Sequence, residues 1–151
     1  MADATREKEG ITLLQTVYKS IRSQTNLILD LMPRVRNEAL KSDMTVALSA
    51  YEAFASRAAK RLSEEGTKPV EDSMLDKMGA KWSTVKETLR DRSEGNVAKL
   101  LAQNAKASAE ELKKELREAE NSTVSEASLR LIRDLCAFEE KNAEDLKQYL
   151  L

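Results

Sequence analysis

Apolar side chains recur along this chain at alternating intervals of three and four residues, the spacing that gathers them on one face of an α-helix. Near the end of the chain, Leu129, Ile132, Cys136, Glu139, Ala143, Leu146 and Leu150 form such a seam. A glutamate stands where the pattern asks for an apolar residue. The same spacing links Ile11, Leu14, Tyr18, Ile21, Thr25, Ile28 and Met32, and predicts a first helix from about Thr5 to Met32. Pro33 lacks the N–H that a continuing helix needs and should end it. Asn37 then suits the N-cap of a second helix, because its side-chain oxygen can accept from a free first-turn N–H. That helix carries Leu40, Met44, Ala47, Leu48, Tyr51, Phe54, Ala55, Ala58 and Leu62 on one stripe, with Gly66 as its stop and Pro69 beyond.

After the linker "GTKPVED" (66–72) comes a shorter amphipathic stretch with Met74, Leu75, Met78, Trp82, Val85 and Leu89 on one side. Asp91 and Glu94 have the spacing of a capping box, so a new helix is expected to start at Asp91. Its inward residues would be Val97, Leu100, Leu101, Asn104, Ala105, Ser108, Leu112 and Leu116. The "NSTVS" run (121–125) offers caps for a last helix over about 125–150. The layout is an all-α four-helix bundle of two antiparallel hairpins, 5–64 and 91–150. Residues 67–90 form a long crossover with its own helix, and 1–151 make a single domain.

Composition supports this picture and removes several kinds of function. Charged residues make up 34% and aromatics 4%, with 4 Gly and 2 Pro, a balance that favours long helices over sheets. The 25 basic and 26 acidic residues are interspersed, which gives no electrostatic footprint for nucleic acid or an anionic membrane. No apolar run approaches a membrane span, and the charged N-terminus "MADATREKEG" does not look like a secretory signal. The single cysteine fits a reducing compartment, so a cytoplasmic protein is expected.

There is no histidine, which takes away the commonest general base and the commonest transition-metal ligand. "SEGN" lacks the strand and lysine of a phosphate loop. Glu139 and Glu140 are neighbours on a helix and point about 100° apart, so they cannot share a substrate. Cys136 reads as a small core residue rather than a nucleophile, and "EELKKELREAE" (110–120) as a solvated helix face. Met74, Met78 and Trp82 form a stripe suited either to docking a protein partner or to packing the crossover onto the bundle.

Two motifs bear on family. The last helix contains "EEKN", giving Glu139-x-x-Asn142, and the second contains "YEAFA", giving Glu52-x-x-Ala55. Each resembles the Glu-x-x-His pair of ferritin-like di-iron proteins with its histidine gone. The stretches "SEGNVAKLLAQNAKASAEELKKEL" and "LIRDLCAFEEKNAEDLKQYL" are similar to the second hairpin of small, uncharacterised bacterial ferritin-like proteins. The resemblance implies a ferritin-like bundle, and the departures imply a degenerate metal site. Where the family places further carboxylates, the first helix has Tyr18, Ile21 and Thr25, and the third has Asn104, Ala105 and Ser108. Glu52 and Glu139 would be relic ligands, with no cofactor bound. The function expected is a non-catalytic structural or binding module, with a protein partner or a homodimer. The alternative is a metal-binding oxidoreductase or storage protein with a carboxylate-poor site.

Glu139 itself has three readings. It anchors a small polar pocket, together with Asn104, Asn142 and Tyr51. It forms a buried polar pair that fixes helix register. Or it turns to water from a slightly rotated seam. The polar seam as a whole comprises Thr25, Asn104, Ser108, Glu139 and Asn142, and pairing the second hairpin about residue 121 sets Glu139 opposite Gln103 and Asn104.

Overall fold

The computed structural model describes residues 2–70, 94–120, 122 and 124–150. These form four α-helices: α1 (Ala2–Leu31), α2 (Glu38–Glu64), α3 (Glu94–Ala119) and α4 (Glu126–Leu146). There is no strand among the described residues, and no helix there is long and apolar enough to cross a membrane. The expected crossover helix, its Met74, Met78 and Trp82, and the capping partner Asp91 lie outside the described residues.

Local chemistry sets the boundaries. Pro33 sits inside a short 3-10 turn, Met32–Arg34, which ends α1. Asn37 then caps α2 by accepting from the Leu40 N–H at 3.0 Å. At the other end of α2, Gly66 adopts φ +81°, a conformation an L side chain would resist. Two bonds close this end: the Gly66 N–H donates to Ser63 O (3.0 Å) and the Thr67 N–H to Leu62 O (2.9 Å). This is the Schellman arrangement, which satisfies carbonyls the helix leaves free. Ser125 caps α4 by accepting from the Ser128 N–H.

The closest packing is between α1 and α2 and between α3 and α4; α1 against α3 and α2 against α4 complete the square. Helices α1 and α2 run antiparallel, with Arg22 on Glu52 and Gln15 on the backbone of Lys68 and Val70. So do α1 and α3, where Ser20 meets Ser108 and Gln24 reaches the Asn104 carbonyl. Down the α2/α4 side, Asp43 pairs with Tyr149, Tyr51 with Glu139, Arg57 with Asp134 and Arg61 with Ser128. That interface is antiparallel too, so α2 and α3 point the same way.

One core fills the square, with Leu14, Ile21, Leu40, Met44, Tyr51, Leu62, Ile132 and Leu135 almost wholly buried. Burying each large aliphatic side chain contributes roughly 2 kcal/mol. The first seam proves too narrow. Leu13, Val17, Leu27 and Leu31 are buried beside it, because α1 faces α2 on one side and α3 on the other. The last seam is too long. α4 stops at Leu146, the chain tightens into a 3-10 turn at Lys147–Tyr149, and Leu150 is left 44% exposed.

Candidate functional site

Each of the four helices contributes one side chain to a hydroxyl–carboxyl chain that runs through the middle of the bundle. Glu139 of α4 is the centre and is only 1% exposed. The Tyr51 hydroxyl of α2 donates to its Oε2 at 3.1 Å, and the Ser108 hydroxyl of α3 to its Oε1 at 2.8 Å. Ser108 in turn lies 3.2 Å from the hydroxyl of Ser20 on α1. A hydroxyl has one proton to give. With that of Ser108 committed to the carboxylate, Ser20 is the donor in the outer bond. The protons all point towards Glu139, and no buried side-chain nitrogen or oxygen among the described residues lacks a partner.

Helix geometry makes the convergence unsurprising once the pairings are fixed. Ser108 and Glu139 face each other across the antiparallel α3/α4 hairpin, while Tyr51 enters from the adjoining α2. The Phe138 ring meets Tyr51 edge-to-face, with centroids 5.1 Å apart, and holds the phenol in place. Burial pushes the Glu139 carboxyl up to about 7, even though the hydrogen bonds from Ser108 and Tyr51 favour its charged form. Burial, followed by the charge and hydrogen bond of Glu139, raises the Tyr51 phenol well above its ordinary value. The phenol therefore stays a donor.

Other residues singled out from the sequence take lesser places. Thr25 is buried, but its hydroxyl donates to the Arg22 carbonyl of its own helix. Asn104 bonds back to the Leu100 carbonyl. Asn142 lines a cavity of about 10 Å³ with Gln24, Asp43 and Tyr51, a space for about one water. Glu52 is exposed at the surface, where it accepts from Arg22 at 3.0 Å. The Arg22 guanidinium lies over the Tyr18 ring and also donates to its hydroxyl. Glu52 and Glu139 are therefore not brought together.

Glu139 faces Ser108 rather than Gln103 or Asn104, one turn from the sequence estimate. The hairpin turns nearer Ser122–Ser125 than residue 121, because the α4 cap is Ser125. Ser20 escaped the sequence reading, since it lies beside the first seam and not on it. Cys136 packs with its thiol against the Ala109 carbonyl at 3.5 Å, and burial pushes it up to about 11, which suits a core thiol and not a nucleophile.

Among the described residues, no group of three or more His, Cys, Asp or Glu side chains is placed to hold a metal ion. No family model, curated protein or solved structure matches this chain.

Proposed function

We propose that the chain is a ferritin-like bundle in which a hydroxyl–carboxyl chain occupies the position of a di-metal centre, and that it works as a non-catalytic structural or binding module in the cytoplasm. The observation that carries this reading is the state of Glu139. Both its oxygens are taken by hydroxyls, from α2 and α3, so the carboxylate is satisfied without a cation. Divalent iron or manganese would need several further oxygen or nitrogen ligands, and Ser20, Tyr51 and Ser108 are weak candidates while protonated.

The ferritin-like arrangement is supported by helix direction. α2 finishes beside Gln15 of α1, while the start of α3 lies towards the opposite end, where α1 meets Pro33. In the ferritin-like fold, two parallel helices so placed are joined by a long crossover, and this direction of α2 and α3 supports that reading.

Metal analysis after incubation with Fe(II), Mn(II) and Zn(II), on wild type beside Glu139→Leu, tests the reading. The expected result is no stoichiometric metal on either protein. Stoichiometric metal on wild type that disappears in Glu139→Leu would overturn it in favour of a carboxylate-poor metal protein.

A further inference from the structure

Between α3 and the end of α4 lies an open groove of about 600 Å³. Its α3 wall presents Lys99, Ala102 and Lys106, at helical intervals of three and four; the facing wall is Ala143 of α4 with Lys147 and Leu150 from the 3-10 turn that follows α4 and its cap. The α3 intervals are those with which one helix meets another along a seam. The two alanines keep the floor low, so a third helix could approach the backbone closely. Leu150, one of the few large apolar side chains left exposed, stands at one end.

The charge on this groove has one sign. Among the described residues, three lysines line it and no acidic residue does. Lys147 reaches Glu144 outside the groove at 2.7 Å, whereas Lys99 and Lys106 have no ion pair among the described residues. Lys99 and Lys106 are two turns apart, about 10 Å along the axis. A single anionic head group could not meet both, but acidic side chains repeated every two turns along a partner helix could.

We infer that this groove docks an acidic amphipathic helix of a partner protein. The helix would lay small apolar residues over Ala102 and Ala143 and set carboxylates against Lys99, Lys106 and Lys147. This is the helix-in-groove mode of recognition, with charge fixing orientation and register. The inference rests on the reading of the chain as a binding module and names the surface such a module would use.

The test uses the full chain and a fluorescent, end-capped helical peptide of about 18 residues, long enough to hold helix in water. The peptide has an alanine–leucine stripe flanked by glutamates two turns apart, and a twin has lysine at every glutamate. Anisotropy titrations should show binding of the acidic peptide only. The affinity should fall about tenfold or more for Lys99→Glu/Lys106→Glu, and fall again as salt is raised. Ala102→Trp, which fills the floor without changing charge, should weaken binding as well. Lys99 and Lys106 are exposed, whereas Ala102 is half-buried against the core, so the fold of each variant is certified by an unchanged thermal midpoint. Equal binding of both peptides, no binding of either, or undiminished binding to the charge-reversed variant would each overturn the proposal. None of these outcomes bears on the metal analysis, so the failure of this surface and of the metal-free reading are separable.

Discussion

Two of the polar links that join helices α2 and α4 lie a few turns apart, and solvent divides them. At mid-bundle, Tyr51 and Glu139 meet with almost no exposure, and the carboxyl has hydroxyl donors but no cation. Where α2 ends, Arg61 bonds to Glu64, to Glu65 at 3.0 Å and to Ser125 at 2.8 Å, with its own side chain 18% exposed and that of Glu64 48% exposed. The end link has more bonds and full charges of both signs, yet water competes for every one of them. The middle link has fewer bonds, but each is made where a missing partner could not be replaced. Counting bonds would rank the two in the wrong order.

The largest difference should appear on changing pH. Glu139 is raised in the folded protein to about 7 from an ordinary 4.5. The folded state thus holds a proton that the unfolded chain has already released between those values. The stabilisation is fully present below about pH 4.5 and is lost as pH rises to about 7, a change of about 3 kcal/mol at 1.36 kcal/mol per pKa unit. Urea denaturation of wild type and Glu139→Gln across that window measures it as the difference between the two profiles. Parallel profiles would refute the buried carboxyl. Among the other titratable groups of the core, the Tyr51 phenol and the Cys136 thiol are both raised and neither titrates in this range.

Next in size is Tyr51→Phe, which leaves the carboxylate one donor short and should cost about 2 kcal/mol. Adding Glu139→Leu should restore stability to within about 0.5 kcal/mol of wild type or better, since an apolar pair replaces a buried polar one. A double variant no more stable than Tyr51→Phe alone would mean that the phenol matters for packing and not for its bond to Glu139.

At the helix end, Arg61→Ala should cost only about 0.5–1 kcal/mol, and less as salt is raised. The effect of Tyr51→Phe should stay nearly constant over the same salt range, so a shared salt dependence would erase the distinction drawn above. The smallest effect belongs to Lys141→Ala, which breaks an exposed i,i+4 pair with Asp145 at 2.8 Å. Its denaturation midpoint should coincide with that of wild type.

Much of this architecture is written in short-range signals. Pro33, Asn37 and Gly66 each carry a backbone preference strong enough to place a helix end, and each sits where that preference says. Spacing also puts Glu139 on the seam, three from Cys136 and four from Ala143, but a slightly rotated seam would turn it to water, and only its burial in the bundle decides for the inward turn. What spacing does not encode is which residue stands across the gap. Ser108, and not Asn104, meets Glu139 because the α3–α4 turn is closed a few residues later than a symmetric hairpin would close it. Ser20 was harder still to read. A single seam was drawn on α1, while the helix is buried against two neighbours and its contact with α3 runs along a second stripe. Both misses concern pairing between helices, which depends on loop length and rotation.

A sidechain from each of the four helices meets in the Ser20–Ser108–Glu139–Tyr51 chain, and this has a consequence for the order of folding. Tyr51 and Glu139 are 88 residues apart, as are Ser20 and Ser108. Either hairpin can form from local contacts, but these long-range bonds require both hairpins to be docked. Hydrogen bonds completed so late belong to the native side of the folding barrier. Tyr51→Phe and Ser20→Ala, which remove only bonds between the hairpins, should therefore speed unfolding more than they slow folding, so that these bonds act as a latch on the lifetime of the assembled bundle.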